Sequence, residues 1–379
     1  MQTIELYRQK LMGYAESFQD LAKSFDAPFP QKEGDRQSIL EERRIWESRQ
    51  VICDNFSEIS KIITRVADEG NCYQPVEEKM KKLLLRSMRE EDIFLDDLFY
   101  LPRENKQFAI SMTLYTPLKN GRMAAEVADL LSVLLHRQLR VSSASPHLVD
   151  RKKRSFVFLE QPEFVVLTGL AKAVREGESV SGDNYAILES EQGNLMILLS
   201  DGTGSGERAN RDSGQALDLM ENLLEAGYDL QTAVKMVNSA VFSKGEDSNH
   251  PTLDLCSVNL YTGCSEWMKV GGAESFIRGE NGVHEISANG LPMGVFPILK
   301  TQSDKKKLKS GDYLIMMTDG VRDAFAVQDE ESLQRELEQM TEQNPGELAE
   351  QILQRAIYLR EGHVPDDMTV IVAGIWENS

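Results

Sequence analysis

Two long stretches near the start of the chain carry apolar residues at helical spacing. Ile4, Leu11, Ala15, Phe18, Ala22 and Phe25 recur at intervals of 7, 4, 3, 4 and 3, and Ile45, Ile52, Phe56, Ile59, Ile63 and Val66 repeat those intervals. Such stripes predict amphipathic helices that pack on their own domain, on each other or on a second copy of the chain. The first helix should stop within Asp26-Ala27-Pro28-Phe29-Pro30, with Gly34 beyond, because proline breaks the hydrogen-bond ladder. The second should begin at Ser38, with Glu41 completing a capping box. A third should begin near Pro75, proline being favourable at a first helical position. Residues 1–97 therefore read as helical.

From residue 98 the period shortens. Phe108, Ile110, Met112 and Leu114 alternate as in a half-buried strand, 122–139 reads as an apolar helix, and 156–159 as a returning strand. Residues 98–160 thus form a small α/β unit, and Arg151-Lys152-Lys153-Arg154 reads as a solvated turn near a boundary. Beyond it, in residues 161–379, short apolar strands are expected at 164–167, 185–188, 195–199, 253–260, 266–270, 276–278, 313–317 and 369–375. Helices are expected at 209–226, 230–242, 332–339 and 346–360. Asn281-Gly282 marks a hairpin. Bunched strands with paired helices, without steady βαβ alternation, define an α+β fold.

The length of 379 residues suits about two domains, and 41% hydrophobic residues suffice for packed cores. With 42 basic and 61 acidic residues the net charge is −19. Residues 1–150 contribute −3 and the remainder −16. That balance argues against nucleic acid as a partner and against adhesion to anionic lipid. Cys53, Cys72, Cys256 and Cys264 form no CxxC pair, which points to a reducing compartment. No apolar run reaches a membrane span of about 18 residues, and the first residues lack the pattern of a signal peptide. The chain as given reads as cytoplasmic.

The chemistry lies in aspartates at strand ends. Asp183 precedes one expected strand and Asp201 follows the next, each nine positions from residue 192, so a regular hairpin brings them to one sheet edge. Asp319 ends another strand, and Asp366-Asp367 begin the last. Left unpaired in one place, such carboxylates would repel and raise one another's pKa. A hard divalent cation, Mg²⁺ or Mn²⁺, resolves the conflict. Two such ions about 3.5–4 Å apart can hold a hydroxide for in-line attack on a phosphate ester. For any single Asp-Gly a simple turn is the default reading; four motifs at strand ends of one domain favour a metal site.

Other motifs carry less. Gly202-Thr203-Gly204-Ser205-Gly206 lacks the Gly-Lys-Ser/Thr of a P-loop. The histidines, including His363 near Asp366, form no zinc pattern, and Ser181 and Ser205 sit in no nucleophile elbow.

In this order, Ser181-Gly182-Asp183, Ser200-Asp201-Gly202, Thr252-Leu253-Asp254-Leu255, Val270-Gly271-Gly272-Ala273-Glu274-Ser275, Leu291-Pro292-Met293-Gly294, Thr318-Asp319-Gly320 and Asp366-Asp367-Met368-Thr369 resemble the metal-dependent, type 2C serine/threonine protein phosphatases, and within them the bacterial sporulation branch. The resemblance covers residues 162–376. It implies a β-sandwich flanked by helix pairs and a dinuclear manganese or magnesium site, two ions per active site. Asp201 would bridge the ions, the Gly202 carbonyl would bind one, and Asp319 and Asp366 would complete the second. Asp183 would ligate a metal or orient water on it. Asp367 stands where the family often has asparagine, and Glu274 where it often has proline; Asp367 is assigned a supporting role.

The same resemblance implies a regulatory region before the phosphatase, a phosphoserine substrate on an anti-sigma factor antagonist, and release of a sporulation sigma factor. It further implies a homodimer through the N-terminal helices. The opening inside an amphipathic helix fits a longer parent anchored in the membrane ahead of this segment; a naturally soluble relative fits as well. The alternatives are a catalytically silent interaction module on the same fold and a small-phosphoester hydrolase. The helices that follow the Asp201 loop would couple dimerisation to metal occupancy by moving Gly202.

Overall fold

A computed structural model describes residues 2–26, 36–69, 74–101, 108–190, 193–243, 249–287, 290–296, 299, 303–326 and 332–378. The expected helix stop at 27–30, together with Gly34, Cys72 and Gln192, lies outside them. The chain divides into two compact units, Met1–Ser17 with Ile63–Pro162, and Phe18–Ile62 with Glu163–Ser379.

Helices α1 (Gln2–Phe25) and α2 (Arg36–Glu69) contribute residues to both units. The first unit continues with β1 (Gln74–Pro75), α3 (Glu78–Glu90), β2 (Phe94–Tyr100), β3 (Ala109–Tyr115), β4 (Arg122–Met123), α4 (Ala124–Leu135), β5 (Leu139–Val141), β6 (Leu148–Val149) and β7 (Arg154–Glu160). Its sheet runs β1-β2-β3-β7-β5, and α3 and α4 cover a core of Leu84, Met88, Ile110, Met112, Leu114, Val127, Leu131, Phe156 and Phe158. Residues 151–153 form an exposed turn, as expected, but Arg154 already opens β7; Lys153 is on Asp96 at 2.7 Å and Arg154 on Asp150 at 3.0 Å.

Four expectations for residues 1–160 need correction. Residues 1–97 are not all helical, because aromatic and branched residues carry 94–100 into β2. Ser38 lies inside α2, which already begins at Arg36; the good helix formers Arg36 and Gln37 extend the helix ahead of the expected cap. Pro75 is in the edge strand β1, where its missing N–H leaves the ladder with β2 intact. The helix expected at 122–139 is shorter: Arg122 and Met123 pair with β6, and His136 takes a left-handed conformation (φ 53°) that ends α4 and frees Leu139 for β5.

The second unit holds β8 (Phe164–Ala173), β9 (Asn184–Glu189), β10 (Asn194–Ser200), α5 (Gly206–Glu225), α6 (Leu230–Ser243), β11 (Leu253–Asn259), β12 (Cys264–Val270), β13 (Ser275–Gly279), β14 (Gly282–Ile286), β15 (Ser303–Lys307), β16 (Tyr313–Met317), α7 (Asp319–Ala326), α8 (Ser332–Gln339), α9 (Pro345–Leu359) and β17 (Met368–Glu377). Two five-stranded antiparallel sheets form, β15-β12-β11-β10-β9 and β14-β13-β16-β17-β8. Alternation decides how they stack. Leu195, Ile197 and Leu199 meet Leu314, Met316, Ile371, Ala373 and Ile375 between the sheets. The intervening Met196 and Leu198 pack under α5 and α6, and Ile315, Met317, Val370 and Val372 under α7, α8 and α9. Buried on both faces, these strands read as continuous apolar runs.

The result is the α+β, helix-flanked β-sandwich of the type 2C phosphatases. Within this unit Phe56 of α2 packs on Phe18 and Phe25 of α1, ring centroids 5.9 and 5.8 Å apart. Helix α9 starts where expected, because Asn344 Oδ1 accepts from the N–H groups of Gly346 and Glu347 and Pro345 opens the first turn. Strand β15 escaped notice in the sequence because a lysine-rich edge strand lacks apolar alternation.

Candidate active site

The hairpin of β9 and β10 sets the first pair of carboxylates. Ser200 is opposite Asn184, so the next residues outward are Asp201 and Asp183, as the spacing about residue 192 requires. In the other sheet Met317 pairs with Val370, which puts Thr318-Asp319 and Asp366-Asp367 at the corresponding edge. Asp319 does more than end a strand: it is the first residue of α7, where a carboxylate suits the positive end of the helix dipole.

Asp183 is fully buried. Its Oδ2 accepts hydrogen bonds from Thr369 Oγ1 (2.6 Å) and Thr318 Oγ1 (3.0 Å), and its Oδ1 is buried without a partner. Burial pushes this carboxyl up to about 6; the two threonine hydroxyls pull it back, Asp367 raises it and Lys172 lowers it. Asp201 is raised further, to about 10, first by burial and then by the charges of Asp183, Asp319 and Asp366. Its side chain shares a hydrogen bond with Asp319. Burial raises Asp366 too. The other three candidate aspartates therefore all act on Asp201.

Backbone contacts hold that rim. Asp201 donates its N–H to Thr252 Oγ1 at 3.0 Å and accepts from the Thr252 N–H at 2.8 Å. Gly202 lies so close to the first turns of α5 that a Cβ there would overlap the Ala209 carbonyl. Asp367 takes a supporting role: its two oxygens accept the N–H groups of Gly182 (2.7 Å) and Arg175 (2.9 Å), tying the β8–β9 loop to the start of β17. His363 instead pairs with the exposed Glu176 at 2.9 Å.

Sequence reasoning missed part of this neighbourhood. Thr318 and Thr369 stand inside the quoted motifs, yet nothing in their spacing marks them as partners of Asp183. Buried Lys269 reaches across from β12 to Asp254 Oδ2 on β11 at 2.9 Å, and also donates to the Ala273 carbonyl. The register Asp254 opposite Lys269 would have signalled the pair. A cavity of about 200 Å³ opens beside the carboxylates, lined by Asp201, Asp254, Gly272, Glu274, Asp319 and Arg322 among others.

The donor set fits hard cations. It is all oxygen, its buried charges are mutually destabilising, and Asp183 Oδ1 has no protein partner. Among the described residues no group of three or more acidic, histidine or cysteine side chains is placed closely enough to hold a metal ion as it stands.

The fold is that of the type 2C phosphatase domain. The family described as Stage II sporulation protein E (SpoIIE) matches residues 191–376. Stage II sporulation protein E of Bacillus subtilis is 28% identical over 342 residues, covering 89% of this chain and 41% of that protein. Its counterpart in Priestia megaterium is 28% identical over 340 residues, 89% of this chain and 58% of the relative. The solved PP2C phosphatase domain with a regulatory-domain fragment of Bacillus subtilis SpoIIE superposes with a TM-score of 0.66 at 26% identity, covering 92% of this chain and all of that one. Phosphoserine phosphatase RsbX of Bacillus subtilis is 25% identical over 149 residues, 39% of this chain and 70% of that protein. The chain is thus similar to stage II sporulation protein E over most of its length. It spans about half the length of the curated sporulation relatives it matches. No helix among the described residues is long and apolar enough to cross a membrane.

Proposed function

We propose that this chain is a metal-dependent serine/threonine protein phosphatase that dephosphorylates a phosphoserine on an anti-sigma factor antagonist, thereby activating a sporulation sigma factor. The observation that carries the reading is that the charges of Asp183, Asp319 and Asp366 all act on buried Asp201, which lines a cavity together with Asp319. The phosphoserine phosphatase RsbX among its relatives supports the substrate class.

Asp201, the Gly202 carbonyl, Asp319 and Asp366 would hold two Mn²⁺ or Mg²⁺ ions, with Asp183 as a further ligand or orienting group. When bound, such ions neutralise the phosphoryl oxygens and favour attack by water. The chain's own residues prepare the place. Thr318 and Thr369 fix one oxygen of Asp183 and leave the other free. Thr252 holds the Asp201 backbone, and Asp367 anchors the loop that carries Asp183. Lys172 donates to the Asp183 carbonyl at 2.6 Å and offsets part of the local negative charge.

Residues 1–160 serve as a regulatory and oligomerisation region in this reading, 161–379 as the phosphatase. Exposed Leu21 and Ile45 support a homodimer through the N-terminal helices. In this reading the chain acts in the cytoplasm.

The deciding experiment treats the phosphorylated anti-sigma factor antagonist of the same organism with the purified chain, with and without Mn²⁺. Mn²⁺-dependent loss of the phosphoserine supports the reading. Its persistence favours a catalytically silent interaction module, and turnover of small phosphoesters alone favours the hydrolase alternative.

A further inference from the structure

The cavity beside the aspartates is lined by four carboxylates, Asp201, Asp254, Glu274 and Asp319, and among its described lining residues by a single cation, Arg322. Lys269 is close by but committed, buried between Asp254 and the Ala273 carbonyl. That pair folds the 271–275 loop down on Asp254, where a Cβ at Gly272 would collide with the carboxylate. The loop therefore has a fixed course, and it delivers Glu274 to Arg322.

Arg322 sits on the first turn of α7, three residues after Asp319. Its Nη1 is 3.5 Å from Glu274 Oε1, and its Nη2 is 2.9 Å from its chain neighbour Asp323. Both contacts are partly exposed, and such ion pairs are weak. Arg322 Nε and Glu274 Oε2 are each buried without a partner. A guanidinium whose Nε has no partner and whose terminal nitrogens hold only weak, partly exposed contacts, at the wall of a carboxylate-lined cavity, is matched to a tetrahedral dianion, because its planar fork bonds two phosphate oxygens at once.

We propose that Arg322 contacts the phosphate of the substrate and that Glu274 holds the guanidinium in place when the cavity is empty of substrate. The proposal rests on the phosphatase reading above and adds a specificity-determining residue to it. Glu274 stands where the family often has proline, so the charge that positions Arg322 is a departure of this chain from the family pattern.

The test measures binding of inorganic phosphate to the full chain in Mn²⁺ by titration calorimetry, alongside KM for a phosphoserine peptide. Arg322→Gln weakens phosphate binding and raises KM about tenfold and leaves the Mn²⁺ affinity unchanged; Arg322→Lys restores part of the loss. Glu274→Gln moves phosphate binding the other way, tighter by about threefold, because it releases the guanidinium. A merely structural pair would move both variants in one direction. Melting curves confirm that each variant is folded. Phosphate binding indifferent to Arg322, weakened by Glu274→Gln, or absent from the wild type overturns the inference. Arg322-dependent phosphate binding without peptide hydrolysis supports it and sinks the phosphatase reading instead.

Discussion

Thr369 donates its hydroxyl to Asp183 Oδ2 at 2.6 Å, joining the first turn of the last strand in one sheet to the residue that precedes β9 in the other. The bond holds the ionised carboxylate and so opposes the upward push of burial. Thr369→Val keeps the shape and removes the donor, leaving Oδ2 to Thr318 alone. Hydrogen bonds to charged groups contribute about 1.5–3 kcal/mol, so Mn²⁺ affinity at pH 7 should fall by roughly tenfold. The deficit should shrink at higher pH, where Asp183 ionises regardless. Mn²⁺ titrations at pH 7 and 8.5 check this, and equal deficits at both would refute it.

The pH dependence of the metal-free protein has a definite sign. Burial pushes the Asp183 carboxyl up to about 6, above the ordinary aspartate range. Its contribution to stability is complete below about pH 4 and is lost as pH rises through 6, an effect on the order of 3 kcal/mol. Asp183→Asn removes this proton linkage. In chelator, the stability difference between wild type and Asp183→Asn should therefore grow in the variant's favour from pH 4 to 7. Denaturant midpoints across that range provide the measurement; a constant difference would contradict the burial argument.

Asp201→Asn and Asp319→Asn should each reduce turnover at least 100-fold, because each deletes an anionic ligand rather than a shape. The two differ without metal. Asp201 is raised by burial and by three neighbouring carboxylates, so its amide should melt no lower than wild type in chelator and gain less from Mn²⁺. Activity together with melting temperature, with and without Mn²⁺, separates lost chemistry from lost fold. Undiminished turnover by either variant would end the metal-site reading.

Gly202 is the point where α5 presses on the rim. A methyl group there meets the Ala209 carbonyl, so Gly202→Ala should displace α5 or the loop at a cost of about 1–3 kcal/mol. The dose of Mn²⁺ giving half-maximal activity should rise more than the melting temperature falls. Helix α2 reaches the same helices: Val51 and Ile52 line a groove with Leu219, Leu223, Val237 and Ala240. Removing residues 1–150 should consequently alter the Mn²⁺ dose response as well, and identical curves would dismiss the coupling of the N-terminal helices to the site.

Much of this was readable in advance where local spacing controls geometry. Equal offsets of Asp183 and Asp201 from residue 192 sufficed to pair them, since a regular antiparallel hairpin admits one register. The doubly buried strands announced themselves as apolar runs. Legibility failed where partners are remote. Asp183 depends on Thr318 and Thr369, 135 and 186 residues away, and no local pattern encodes that meeting. It failed also at β2, whose Asp96-Asp97 pair disguised a strand as a polar helix, and at β15, whose lysines belong to a solvent-facing edge. Glu274 looked like a mere departure from the family pattern until Arg322 appeared opposite it.

Strand β17 lies between β16 and β8 and brings Asp366, Asp367 and Thr369 with it. A strand bonded on both sides cannot fray without costing two neighbours their partner and Asp183 its Thr369 donor, so the integrity of this sheet and the state of that carboxylate rise and fall together.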